Sequence, residues 1–335
     1  MESVFIIAEI AQAHDGSLGI LHSYIDAVAK TGANAVKFQT HIADAESSEF
    51  EPFRVKFSKQ DNTRFDYWKR MEFSREQWKG IKEHCDEVGL EFMSSPFSIE
   101  AVELLEAIGM KRYKIASGEM QNFLMLDRIC RTGKPIILST GMSSYEEIER
   151  TIDFVSQYDN DITLLQCTTS YPVPPESIGL NNLSEYTKRF NVPVGLSDHS
   201  GTIYPSLAAV TLGASMIEVH VTFSKDIFGP DTKASLTLDE MKMLVDGSKF
   251  ISTALQHPVN KTDNSEFDEM QKIFGKTLSV RKDLKEGDII MLEDLESKKP
   301  AGMGIPASHY AEVVGRELIK NVDRGSFLSN IDLRD

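Results

Sequence analysis

Residues 5–39 decide the fold: Phe5-Ile6-Ile7-Ala8-Glu9 is a short apolar run, Ser17 to Thr31 carries helix-period hydrophobics, and Ala35-Val36-Lys37-Phe38-Gln39 is a second short run. The change of hydrophobic period from 2 to about 3.6 and back predicts a strand, a helix and a parallel strand. The alternation continues downstream. Candidate strands are Glu91 to Ser94, Arg112 to Ile115, Pro135 to Leu138, Ile162 to Cys167, Pro193 to Ser197 and Met216 to His220. Helical stretches such as Arg75 to Val88, Ile99 to Ile108, Tyr145 to Gln157 and Leu238 to Ala254 lie between or after them. Eight parallel strands interleaved with helices predict an α/β fold, a (β/α)8 TIM barrel rather than an open doubly wound sheet.

The barrel pattern occupies residues 1–255, and the connection from Thr40 to Phe73, rich in aromatic and charged residues, is long enough to be a lid or substrate wall. Residues 256–275, beginning near His257-Pro258, lose periodicity and read as a linker. Residues 276–335 form a small second domain with strand-like pieces at Thr277 to Val280 and Asp288 to Met291. So short a domain is expected to have little core of its own.

A composition of 41% hydrophobic and 26% charged residues is that of a soluble globular chain. No apolar run approaches the roughly 20 residues that span a bilayer, and Met1-Glu2-Ser3 offers no basic leader. A cytoplasmic protein without a membrane partner is expected. The net charge of −15 repels phosphate backbones, so nucleic acid is a poor partner. Cys85, Cys130 and Cys167 are too few and too dispersed for a disulfide framework or a cysteine-rich zinc site.

Chemistry in such a barrel collects at the C-terminal strand ends. Here they carry Glu9, Lys37 and Gln39, Ser95, Lys114 with Ser117 and Glu119, Ser139, the Cys167-to-Tyr171 segment with Thr169, Ser197 with His199, and His220. Lys37 and Gln39 alternate with Val36 and Phe38, so they share a face, and that face points inward if the apolar pair packs on helices. A lysine inside an apolar strand needs compensating charge, from Glu9 or Glu119 in a purely structural pair, or from an anionic ligand held with the serine hydroxyls. His199 and His220 end adjacent strands, an arrangement suited to a divalent metal. His14, in the turn after the first strand, reads equally as a site neighbour or a turn residue.

Ala8-Glu9-Ile10, Val36-Lys37-Phe38-Gln39-Thr40-His41, Ser95-Pro96-Phe97, Tyr113 to Glu119, Leu138 to Met142, Gln166-Cys167-Thr168 with Tyr171-Pro172, and Gly195 to His199 follow one another in order. In these segments the chain resembles the sialic acid synthase family, and its C-terminal part resembles the antifreeze-like (SAF) domain of those enzymes. The resemblance implies a transferase that condenses phosphoenolpyruvate with an N-acetylated hexosamine, N-acetylmannosamine or a 6-deoxy diacetamido hexose. The products are a nine-carbon 2-keto sugar acid and phosphate, and the enzyme serves glycan or polysaccharide biosynthesis.

It also implies roles. Lys114, Ser95, Ser117, Ser139 and Ser197 would hold phosphate, with Lys37 near the phosphoenolpyruvate. Glu9 would face the reacting carbon. His199 and His220 would bind a divalent metal, Mn²⁺ or Mg²⁺, and Gln39, Glu119, Tyr171 and Asp231 would hold the sugar. A domain-swapped homodimer is implied too. Three positions depart from the pattern: Ser95 stands for a frequent Thr, Thr169 for an Asn that helps hold phosphoenolpyruvate, and Lys299 for an Arg that reaches the partner's sugar. Lys299 keeps the charge and loses the planar fork. Rival readings are a barrel aldolase forming a Schiff base at Lys37 or Lys114, and a non-catalytic carbohydrate-binding or scaffold protein.

Overall fold

A computed structural model describes residues 4–334; Met1 to Ser3, read above for a leader, and Asp335 lie outside them. The parallel strands are β1 (Phe5–Glu9), β2 (Ala35–Thr40), β3 (Glu91–Pro96), β4 (Tyr113–Ile115), β5 (Ile136–Ser139), β6 (Ile162–Cys167), β7 (Val194–Asp198) and β8 (Met216–Thr222). Their ladder runs β3-β2-β1-β8-β7-β6-β5-β4, and no ladder joins β3 to β4 among the described residues, so the barrel is nearly closed. A short β9 (Leu236–Thr237) extends β8 on its outer end.

The side-chain period of 2 divides each strand between two environments. Outward residues such as Val36, Phe38, Ile115, Leu138 and Val219 join the large core beneath the helices. Inward residues Ile7, Ala35, Met93, Ile137, Leu165 and Met216 form a separate buried apolar layer inside the barrel. Two residues further along the same strands the inward face turns polar, at Glu9, Lys37, Ser95, Ser139, Cys167 and Glu218. Each of these six strands thus supplies one floor residue and one chemical residue. Gly195 on β7 is required at floor level, because a Cβ there would overlap the Met216 carbonyl of β8.

Helix starts follow local signals. Ser74, Ser144 and Thr237 each cap a helix, accepting from the N3 backbone while Gln77, Glu147 and Glu240 reach back. Such reciprocal caps satisfy two otherwise unpaired N–H groups, each cap contributing about 1 kcal/mol. The long connection after β2 contains helices Ala43–Glu46 and Arg64–Met71 and its own buried cluster of Ala43, Tyr67, Trp68 and Met71, against which Phe53, Phe57 and Phe65 pack.

The chain separates into two compact units after His257. In the second, helix Asp268–Phe274 lies inside the stretch expected to be linker. Strand β10 (Thr277–Val280) pairs antiparallel with β11 (Leu295–Lys298), which the periodicity did not reveal. The expected strand at Asp288 to Met291 does not form: Ile290 is buried but Ile289 and Met291 are exposed, and the segment makes an isolated bridge from Ile289 to Glu317, with backbone hydrogen bonds from Ile290 N to Arg316 O and from Leu318 N to Asp288 O, rather than a ladder. The unit also has more core than its length implied, with Leu278, Val280, Leu284, Ile290, Leu318 and Leu328 among eleven clustered buried residues.

Candidate active site

The polar ends of the inward faces enclose a cavity of about 380 Å³. Of the residues singled out from sequence, Glu9, Lys37, Gln39, Ser95, Lys114, Ser117, Glu119, Ser139, Thr169, Tyr171, Ser197, His199, His220 and Asp231 all line it. Lys299 belongs to the second unit, where its exposed ammonium sits 4.8 Å from the centre of the Phe274 ring. His14 resolves as a turn residue: it is buried against Phe73, and its Nδ1 accepts from Gly16 N at 3.0 Å.

Two lysines and two carboxylates alternate at the deep end. Lys37 forms an ion pair with Glu9, and its Nζ stands 3.8 Å from Glu218 and 3.4 Å from Ser95 Oγ. Lys114 donates to Ser139 Oγ at 2.6 Å and lies 3.4 Å from Glu218 Oε1, which also accepts from Ser197 Oγ at 3.0 Å. The partner of Lys114 is therefore Glu218 and not Glu119, which instead accepts from Asn122. Burial raises the Glu218 carboxyl, but Lys114 and then Lys37 outweigh it and hold the group well below the carboxylate range. Burial depresses the Lys114 ammonium more than Glu218 restores it, whereas Glu218 and Glu9 together lift Lys37 above its ordinary value despite its burial. Glu9 is raised, by burial ahead of its attraction to Lys37, and its Oε1 has no hydrogen-bond partner among the described residues. The donors an anion would need here are the two ammonium groups and the hydroxyls of Ser95, Ser139 and Ser197 beside them, whereas the unpartnered Glu9 oxygen calls for a donor or a developing positive charge.

The imidazole pair sits beside this nest, with ring centres of His199 and His220 5.2 Å apart. His199 Nδ1 donates to the Thr168 carbonyl at 3.0 Å, and Tyr171 stacks on the ring at 4.2 Å. Burial lowers this imidazole, but the neighbouring Cys167 sulfur and the Thr168 carbonyl outweigh it and raise it to about 9, so a metal at Nε2 would have to displace a proton. His220 has no hydrogen-bond partner among the described residues, and burial lowers it to about 3, so it stays neutral. With Nδ1 committed to Thr168, the His199 Nε2 and the His220 ring are the nitrogens that could hold a divalent cation, His199 giving up a proton to do so. No group of three or more His, Cys, Asp or Glu side chains suited to a metal is found among the described residues.

Several lining residues were read in the sequence without a role, or not singled out at all. Glu218 lies within β8 two residues before His220, and the period of 2 that placed His220 inward places Glu218 inward too. Cys167 Sγ lies 3.8 Å from His199 Nδ1. His41, stacked between Trp68 and Phe97, hydrogen-bonds Glu46 at 2.6 Å and Gln12 at 2.9 Å. Arg54 and Arg64 enter from the connection after β2, where no period marks a face.

Comparison with known proteins agrees with this geometry. Residues 24–260 match the NeuB family and residues 271–334 match the SAF domain. N,N'-diacetyllegionaminic acid synthase of Campylobacter jejuni is 36% identical over 327 residues, spanning 96% of this chain and 97% of its own. Human N-acetylneuraminate-9-phosphate synthase is 31% identical over 322 residues, or 95% of this chain and 89% of its own. The crystal structure of N-acetylneuraminic acid (sialic acid) synthetase from Leptospira borgpetersenii matches with a TM-score of 0.70 at 29% identity, covering 81% of this chain and 91% of that one. The near-closed barrel thus has a sialic acid synthetase structure among its matches, and the second unit matches the SAF domain. The chain belongs to the NeuB family. No helix among the described residues is long and apolar enough to cross a membrane.

Proposed function

We propose that this protein condenses phosphoenolpyruvate with an N-acetylated hexosamine, N-acetylmannosamine or a 6-deoxy diacetamido hexose, to a nine-carbon 2-keto sugar acid and phosphate. The observation that carries the reading is the joint placement, in one cavity, of two buried lysines, four serines and an imidazole pair. Lys114, Ser139, Ser117 and Ser197 would receive the phosphate, with Lys37 and Ser95 on its other side. Gln39, Glu119, Tyr171 and Asp231 would hold the sugar, and Thr169 borders the same space.

Held by His199 and His220, Mn²⁺ or Mg²⁺ would supply Lewis acidity toward the acceptor aldehyde. The enol carbon bonds to the aldehyde carbon, and the aldehyde oxygen becomes a hydroxyl. Positive charge then develops on the carbon that bears the phosphate. Glu9, with its unpartnered Oε1, stabilises that charge while water adds. The carbon–oxygen bond to phosphate breaks, the added water's oxygen becomes the keto oxygen, and Lys114 with the serine hydroxyls stabilises the departing dianion. We further propose a homodimer in which the SAF domain of one chain covers the barrel mouth of the other, bringing Lys299 to the partner's sugar.

The test is phosphate release from phosphoenolpyruvate across a panel of hexosamines, with the keto acid identified by mass. The reading predicts release that depends on the sugar and matches product one to one. Release without a sugar, or none with any, would overturn it.

A further inference from the structure

The strand ends account for phosphoenolpyruvate, yet the mouth of the cavity is walled by the connection after β2. That segment brings two guanidinium groups to the cavity. Arg54 donates through Nη2 to Asp231 Oδ1 at 2.7 Å and to the Pro230 carbonyl at 3.4 Å, across 177 positions of sequence. Its guanidinium lies 4.1 Å over the Tyr171 ring, a cation–π contact that fixes its plane. Nε and Nη1 of Arg54 have no partner among the described residues, and the side chain is 42% exposed. Arg64 is deeper, stacked 4.1 Å over Trp68 with Nε 3.4 Å from Glu51 and without a hydrogen bond.

The charge around this end has a definite sign. Against two guanidinium groups stand four carboxylates, Glu46, Glu51, Glu119 and Asp231. Even a protonated His41 would leave the carboxylates in excess. Glu119 is raised first by burial and, after the opposing bond from Asn122, by the charge of Glu46, so these acids feel one another. An acceptor carrying phosphate or carboxylate would meet repulsion here, whereas neutral hydroxyl and amide groups can both donate to the carboxylates and accept from the free guanidinium N–H groups.

We infer that Arg54 is an acceptor-binding, specificity-determining residue, locked in place by Asp231 and Tyr171, within a carboxylate-rich wall that admits an uncharged amino sugar and rejects an anionic one. This rests on the synthase reading above. The two partners hold the planar fork, so its free N–H groups are preset for the sugar and less ordering is needed on binding.

The experiment compares N-acetylmannosamine and a diacetamido 6-deoxyhexose with N-acetylmannosamine 6-phosphate, in the full-length enzyme and in Arg54→Ala and Arg54→Gln. At least one neutral sugar should exceed the phosphorylated one in kcat/KM by tenfold or more. Loss of Arg54 should raise the KM of that neutral sugar about ten- to a hundredfold, as expected for a hydrogen bond to a charged group, while the KM for phosphoenolpyruvate stays put. A purely structural role would move both KM values together, and that result would overturn the assignment of Arg54. Preference for the phosphorylated sugar would overturn the inference and leave the synthase reading standing. Phosphate release with none of the three would overturn the synthase reading, and the inference with it.

Discussion

Glu218 Oε1 lies 3.4 Å from Lys114 Nζ, and both side chains are almost completely withdrawn from water. The pair is the hinge of the deep charge cluster, since Glu218 also faces Lys37. Breaking such a buried pair from one side strands the opposite charge, at a cost of about 3–5 kcal/mol. Glu218→Ala should therefore lower the stability of the full chain by that order in a denaturant titration. Inorganic phosphate, which would restore an anion beside the lysines, should raise the melting temperature of Glu218→Ala more than that of the wild type. Equal shifts would mean that phosphate does not bind between Lys37 and Lys114.

Metal dependence follows from the orphaned His220 imidazole. Chelation should abolish turnover and added Mn²⁺ or Mg²⁺ restore it, and calorimetry should show cation binding that is lost in His220→Ala. Full activity of His220→Ala, or an unchanged binding isotherm, would remove the metal from the scheme.

In the proposed reaction Lys114 would stabilise the departing phosphate, so Lys114→Met should cut kcat/KM for phosphoenolpyruvate by about 10²–10³. Borohydride in the presence of pyruvate should leave the chain unmodified by mass. A trapped adduct on Lys37 or Lys114 would revive the Schiff-base aldolase.

The direction of bond cleavage separates this chemistry from phosphoryl transfer. Heavy oxygen placed in the bridge between carbon and phosphorus should appear in inorganic phosphate. Label retained in the sugar acid would withdraw the roles given to Glu9 and the phosphate nest.

Mixing chains tests the proposed dimer. Lys299→Ala and His199→Ala subunits should each be impaired alone, and their heterodimer should recover part of the activity by joining one intact barrel to one intact SAF domain. Heterodimers without recovery would assign each domain to its own barrel.

What the sequence disclosed depended on periodicity. Val36 and Phe38 alternate with Lys37 and Gln39, so Lys37 had to point inward if the apolar pair packed on helices, and that pair does join the core beneath the helices. The identity of the partner was not legible in the same way. Glu9 and Glu119 were the acids nearest in motif, but which carboxylate meets Lys114 depends on how the barrel closes, and closure brings Glu218 of β8 across to it. Arg54 and Arg64 were out of reach for another reason. They sit in a connection whose position is set by packing of its own aromatic cluster, and no period along the chain encodes where such a segment lands.

The apolar layer of Ile7, Ala35, Met93, Ile137, Leu165 and Met216 has a consequence for how such an enzyme can diverge. It seals the barrel below the lysines, so ligands arrive from one side only, and the groups that would expel phosphate are anchored on strands whose register tolerates little change. The wall around Arg54 is held by a connection outside the ladder. If Arg54 reads the sugar as inferred above, substitutions in that wall would redirect the choice of sugar and leave the strand-end groups beneath where they are.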